Sequence, residues 1–117
     1  MKTPPSPKEN KLKKKNRKIT LSGKRAIVAL QELEFMMISL RKIEDYYFYK
    51  ELDSPGQDPT LREKEISRFV SENNFIQRLG TVRKIVSERF DHGLGKDQMG
   101  DTERAMEHLI FWEKPGD

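Results

Sequence analysis

The stretch of residues 20–52 dominates this sequence because it contains no proline and only one glycine, close to its start. An α-helix over this stretch would be roughly 45 Å long at ~1.5 Å per residue. Thr20 or Ser22 can cap its first turn, since a side-chain hydroxyl accepts hydrogen bonds from the free backbone amides there. We therefore predict a long helix 1 at about 21–52 and expect the other elements to pack around it.

Apolar side chains recur along helix 1 at intervals of three and four residues, which predicts a stripe that faces a core. The stripe consists of Ala26, Leu30, Leu33, Met37, Leu40, Ile43 and Tyr47. In addition, the short runs 26–30, 35–38 and 46–49 are wholly non-polar or aromatic, so each surrounds the helix axis. A helix that is apolar on all sides is normally buried on all sides. Helix 1 is therefore expected to be covered by other helices, by a partner, or by both.

Three shorter helices are predicted after helix 1. The turn-forming sequence of residues 53–59 separates it from helix 2 at 60–72, which starts with the capping-box pair Thr60 and Glu63. The apolar periodicity changes phase at Asn73 and Asn74, which predicts a break with Asn73 left-handed and Asn74 as the cap of helix 3, at 75–90. A glycine-rich loop then leads to helix 4 at 101–113.

These elements predict an all-α fold, an irregular four-helix bundle built on one long N-terminal helix, with residues 19–117 as the helical domain. Helices 2 to 4 are each about half as long as helix 1. Three short helices can hardly enclose a helix of that length, so apolar surface should remain for a second copy or for another protein. We expect a two-fold pairing of the long helices that buries the aromatic run 46–49.

Residues 1–18 carry eight Lys or Arg and one Glu, a balance of +7, whereas residues 19–117 carry fifteen bases and eighteen acids, a balance of −3. Such a polar segment buries too little surface to offset its ordering entropy, so we predict a disordered basic tail. The plainest interpretation is a solvated tail without a binding role. The alternatives are that the tail binds an anionic membrane or protein surface, acts as a nuclear localisation signal, or binds nucleic-acid phosphate. The basic contact residues would be Lys11, Lys13, Lys14, Lys15, Arg17 and Lys18.

Helix 3 carries the bases Arg78, Arg83 and Lys84, which invites comparison with the recognition helix of a helix-turn-helix unit. The surrounding domain is net acidic, and the three side chains do not share one helix face. A solvated, ion-paired face is the favoured interpretation, and nucleic-acid contact through these residues and the tail is the alternative.

No residue set in the sequence indicates catalysis. The chain lacks cysteine, and its histidines are His92 and His108. Glu103, Glu107 and His108 could in principle share a metal, but the adjacent Glu107 and His108 diverge on a helix, so the set would need outside ligands. We therefore predict no enzyme activity, no metal, no cofactor and no small-molecule substrate. No apolar run is long enough to span a bilayer, and we predict a cytoplasmic protein, or a nuclear one in a eukaryote.

The sequence thus predicts a small, non-enzymatic binding protein (a regulator, adaptor or inhibitor) that acts through helix-mediated contact with a protein partner or with itself as a homodimer. Aromatic side chains recur at such interfaces because they bring a large area and, in tyrosine, a hydroxyl that tolerates a wet rim. The predicted interface residues are Phe35, Met36, Tyr46, Tyr47, Phe48 and Tyr49. The alternative is a nucleic-acid-associated protein that uses the basic tail and helix 3.

Overall fold

A computed structural model describes residues 12–113 and 115–116. Throughout this part of the chain the regular structure is helical, and four α-helices occur, one of them far longer than the rest, which confirms the predicted all-α fold class. The chain divides into two compact units. Ser22–Ile85 forms one, called the long-helix unit below, and the described residues of Met1–Leu21 and Val86–Asp117 form the other, called the loop unit.

Helix α1, Gly23–Asp53, begins where the hydroxyl of Ser22 accepts a 3.1 Å hydrogen bond from the amide of Arg25. Ser22 is one of the two N-caps that the sequence offers, and it satisfies one of the free amides of the first turn. The helix ends before a turn in which Gly56 has a φ of 93°, a conformation that favours glycine. The carboxylate of Glu51 accepts the backbone amides of that turn and fixes it to the end of α1.

Helices α2, Thr60–Glu72, and α3, Phe75–Ser87, start close to the predicted positions. The N-terminal contact of α2 differs from the predicted capping box, because the carboxylate of Asp58 accepts both the amide and the hydroxyl of Thr60. At the break between the helices it is Asn74, rather than Asn73, that adopts the left-handed conformation, with a φ of 52°. Asn73 instead donates its side-chain amide to the carbonyl of Phe69 in the last turn of α2.

The buried stripe of α1 consists of Ala29, Met36 and Ile43, spaced two helical turns apart. The predicted stripe is rotated relative to this one, and it wrongly includes Leu30 and Met37, which are 53% and 57% exposed. Both faces of α1 are apolar, so the periodicity alone does not select the one that packs. The choice is made by α2, which packs against α1.

An aromatic cluster joins the three helices of the long-helix unit. The ring of Phe69 on α2 lies 5.7 Å from that of Phe35 on α1 and 5.3 Å from that of Phe75 on α3. Arg78 on α3 lies over the other side of this cluster, with its guanidinium 4.1 Å from the Phe35 ring centre, and pairs with Glu32 on α1. The cluster and the ion pair attach α2 and α3 to the same half of α1.

In the loop unit, Lys14–Asn16 forms one turn of 3-10 helix and α4 spans only Asp101–Met106. Helix 4 is therefore shorter than predicted. The apolar side chains of residues 109–112 are 54–80% exposed, so no packed face offsets the cost of extending a short helix through them. Residues 12–18 also differ from the predicted disorder, because several of them bond to the loop before α4. The prediction for residues 1–11 lies outside the described part of the chain.

Candidate protein-binding surface

The face of α1 opposite its buried stripe is exposed and mostly apolar. At about 100° per residue, ten positions of α1 fall within an arc of roughly 100° on that side, and Gly23 and Leu52 are the first and last of them. We call the eight positions between these two the outer face of α1: Ile27, Leu30, Glu34, Met37, Ile38, Arg41, Asp45 and Phe48. All of them are exposed, and five carry large apolar side chains. This is a continuous surface along most of a helix roughly 46 Å long, and not a set of isolated apolar residues.

The six predicted interface residues separate into two groups. Met36 is 4% exposed, so it belongs to the core and not to an interface, which corrects the prediction. Phe35 packs in the aromatic cluster, and Tyr47 is half-buried. Tyr46, Phe48 and Tyr49 are exposed, and Phe48 belongs to the outer face of α1. The predicted aromatic run therefore supplies three accessible rings.

Tyr47 is held inside the long-helix unit by its hydroxyl, which donates to the carboxylate of Glu65 on α2. This hydrogen bond raises the pKa of Tyr47, because deprotonation would place two negative charges side by side. One turn earlier, Arg62 on α2 makes two hydrogen bonds to the carboxylate of Glu44 on α1, at 2.8 and 2.6 Å. That contact lowers the pKa of Glu44. Both pairs fix α2 on α1 and leave the outer face uncovered.

The sequence prediction did not single out Ile27, Leu30, Met37 and Ile38 as exposed apolar residues of α1. Each belongs to an apolar run that was recognised, and two of them were assigned to the core. The sequence does contain a signal for them, because they form a second apolar stripe on the same helix. This stripe is exposed to water since Ala29, Met36 and Ile43 form the buried side.

The basic residues predicted to contact nucleic acid are only partly available. Arg78 is occupied by Glu32, by the ring of Phe35 and by the carbonyl of Asn73, to which its Nε donates at 2.8 Å. Arg83 and Lys84 are exposed on α3. The structure thus removes Arg78 from the predicted basic face and leaves the two other bases accessible.

The basic segment before α1 is similarly divided. Lys13 donates its ammonium to the carbonyl of Gly93 at 2.7 Å and lies 3.3 Å from the carboxylate of Asp91, and Lys15 lies 3.6 Å from the same carboxylate. These contacts and the amide of Gly93 lower the pKa of Asp91, the amide most strongly. Among the other predicted residues of this segment, Lys14, Arg17 and Lys18 are exposed, and Lys11 lies outside the described residues.

A polar cluster in the loop unit centres on Asp101, which is buried. Its carboxylate accepts hydrogen bonds from the side-chain amide of Asn16 at 2.8 Å, the backbone amide of Lys13 at 2.7 Å and the guanidinium of Arg104 at 2.9 Å. These contacts lower its pKa, that with Asn16 most strongly. Arg104 also makes two hydrogen bonds to Asp97, which hold the pKa of that carboxyl far below its usual range. The donors and acceptors of this cluster satisfy one another, so its role is to hold the loop.

His92 takes part in the same loop structure. Its Nε2 lies 2.8 Å from the carbonyl of Ser87, and its Nδ1 lies 3.2 Å from the hydroxyl of Thr102. The ring therefore connects the end of α3 to the start of α4. In the described part of the chain no group of three histidine or acidic side chains is arranged to hold a metal ion. No helix there has the combination of length and apolarity that crossing a membrane requires.

Comparison of the chain with protein-family models, with curated proteins and with solved structures finds no match.

Proposed function

We propose that this chain is a non-enzymatic binding protein that self-associates through the outer face of α1. The observation that carries the proposal is the asymmetry of burial on one helix. Ala29, Met36 and Ile43 pack inside the long-helix unit, while the opposite side presents Ile27, Leu30, Met37, Ile38 and Phe48 to water. A helix that is apolar all round but packed on one side only has a face that a second helix can cover.

Burial of the outer face would contribute favourable free energy to association. Complete burial of a large apolar side chain is worth about 1.5–3 kcal/mol, and the five apolar side chains of the outer face are each 38–59% exposed. Covering them would contribute on the order of 5 kcal/mol per copy before the entropy cost of association is subtracted. That amount favours a reversible complex, as expected of a regulator, adaptor or inhibitor acting in the cytoplasm or, in a eukaryote, the nucleus.

A matched pair of substitutions tests the proposal. Met37→Glu places a charge in the middle of the outer face, where the side chain is 57% exposed. Ile76→Glu makes the same kind of change on α3, at a side chain that is 79% exposed and lies off the outer face. Light scattering over a concentration series should give a dimer for the unsubstituted chain and for Ile76→Glu, and a monomer for Met37→Glu. An equal effect of both substitutions, or no effect of either, would reject the outer face as the binding surface.

A second candidate function is nucleic-acid association, favoured by the exposure of Lys14, Lys18, Arg83 and Lys84. Contacts to phosphate release counterions, so the binding constant would fall steeply with salt concentration. The test is titration of a fluorescent duplex at several salt concentrations with the full chain and with a variant lacking residues 1–11. The truncation stops at residue 11 because Lys13 and Asn16 hold the loop unit together. Weak binding by both proteins, without a salt slope, would dismiss this candidate.

A further inference from the structure

We propose that the second copy binds the outer face of α1 in an antiparallel orientation, with the two-fold axis between Met37 and Ile38 and with Glu34 opposite Arg41 of the other copy. This inference rests on the proposed self-association and adds its orientation and register. It is drawn from the spacing of the outer-face residues and from the charges that lie among them.

The outer-face positions have the same spacing when read from either end. Starting at Ile27, the next positions follow after three, four and three residues and end at Met37; starting at Phe48 and moving backwards, the same intervals end at Ile38. Two copies related by a two-fold axis at the midpoint therefore place every outer-face position opposite another one. A surface that pairs with itself must be self-complementary in this way.

The four facing pairs are Ile27 with Phe48, Leu30 with Asp45, Glu34 with Arg41, and Met37 with Ile38. The pair at the axis and the pair at the ends are wholly apolar. Leu30 and Asp45 form the mixed pair, and Asp45 lies about 30° from the centre line of the face, so its carboxylate can stay in contact with water at the rim.

Glu34 and Arg41 are the charges at the centre of the outer face. Both are exposed, and none of the ion pairs found among the described residues involves either. They are seven residues, or about 10.5 Å of helix rise, apart in their own chain, which is too far for a direct contact. Across the two-fold axis they stand at the same level of two helices whose axes pack about 8–10 Å apart, and because each Cα lies about 2.3 Å from its axis toward the partner, the facing Cα atoms are only about 3.5–5.5 Å apart. The pair forms twice in the dimer.

Other arrangements lose this complementarity. A parallel pair in register places Glu34 against Glu34 and Arg41 against Arg41, so like charges meet at both levels. An antiparallel pair shifted by one turn places Glu34 opposite Met37, which leaves the carboxylate on an apolar side chain. Charges at an accessible interface contribute little affinity but select the orientation, because the mispaired arrangements are penalised.

Cysteine cross-linking tests the orientation directly, because the chain has no cysteine of its own. Ile27→Cys and Phe48→Cys variants, distinguishable by mass, are mixed at low concentration, concentrated and oxidised. The antiparallel dimer predicts a cross-link between the two variants in the mixture and little cross-linking of either variant alone. In that dimer two copies of residue 27 stand about 31 Å apart along the axis, whereas a disulfide requires Cα atoms within about 7 Å. Self-cross-linking of Ile27→Cys would instead show a parallel pair and overturn the inference.

Charge exchange tests the register in solution without a cross-link. Glu34→Arg and Arg41→Glu should each weaken the dimer by about tenfold, since each brings two pairs of like charges together. The double variant Glu34→Arg/Arg41→Glu should restore the dimer, as should an equimolar mixture of the two single variants. Single variants that dimerise as well as the unsubstituted chain would reject the Glu34–Arg41 pairing while leaving self-association intact. A monomeric unsubstituted chain would reject the self-association itself, so the two failures are distinguishable.

Discussion

The side-chain amide of Asn16 donates a 2.8 Å hydrogen bond to the carboxylate of Asp101, a residue 85 positions further along the chain. The same side chain accepts the amide of Asp91 at 2.7 Å and donates to its carbonyl at 3.0 Å. The Asn16 side chain thus bonds to the backbone at Asp91 and to the carboxylate of Asp101, and links these two parts of the chain. The described part of the polar segment before α1 belongs to a folded unit because Asn16, which is buried, completes hydrogen bonds of that unit.

Asn16→Ala should destabilise the loop unit by about 1–3 kcal/mol, because the amide of Asp91 and the carboxylate of Asp101 lose a buried partner. Faster hydrogen exchange of the Lys13 and Asp91 amides would report the opening. Lys14→Ala is the matched control, since its side chain is exposed and lies two residues earlier in the same turn. Equal exchange rates in both variants would contradict the structural role of Asn16.

The loop unit should also respond to acid. The pKa values of Asp91, Asp97 and Asp101 are lowered by their hydrogen bonds and ion pairs in the folded chain. A lowered folded-state pKa gives stability that is complete above the unfolded value of about 3.9 and is lost as the pH falls through the folded values. The amide resonances of Lys13 and Asp91 should therefore be unchanged between pH 7 and pH 5 and shift only below about pH 4. A transition between pH 5 and pH 7 would contradict this account.

Met36 and Met37 are adjacent and chemically identical, yet they lie on opposite sides of α1. Met36→Ala should lower the free energy of unfolding by about 2–5 kcal/mol, because it opens a cavity in the core. Met37→Ala should change it by no more than about 0.5 kcal/mol when measured at a dilution where the chain is monomeric. Urea unfolding of the two variants checks the difference, and a reversed order would place the core on the other face.

Arg78 is predicted to act in stability and not in nucleic-acid binding. Arg78→Ala should cost about 1–2 kcal/mol through loss of the contact with the Phe35 ring and of the hydrogen bonds to Glu32 and Asn73. Arg83→Ala, on the exposed side of the same helix, should leave the unfolding free energy nearly unchanged. Thermal unfolding separates the two variants, and similar melting temperatures would mean that the Arg78 contacts contribute nothing.

The features that local chemistry controls were predictable from the sequence. Three such features are the cap at Thr20 or Ser22, the turn after residue 53, and the break at Asn73 and Asn74. Each depends on residues within one or two turns of one another. The face of α1 that packs was not predictable, because apolar residues surround the helix and a partner element decides between them. The hydrogen bond from Asn16 to Asp101 joins residues far apart in sequence. It was not predictable, because a single asparagine among lysines has no sequence pattern that indicates its partner.

The sequence predicts that α1 keeps an exposed apolar surface, but most of the residues of that surface differ from the predicted ones. The sequence indicated that α1 would have apolar surface left over, and the exposed Phe48 and Tyr49 lie within the run that was singled out. The other apolar residues of the outer face could be identified only once the structure showed that Met36 is buried, because this fixes which side of α1 faces water. Self-association through this surface stays a prediction.

Sedimentation equilibrium of the unsubstituted chain tests that prediction most directly. Over a range from low micromolar to high micromolar concentration, the apparent mass should rise from the chain mass of 13.8 kDa to a plateau at twice that value. A plateau at the dimer is the result that the outer face of α1 predicts. An apparent mass that stays at that of one chain over the whole range would contradict it.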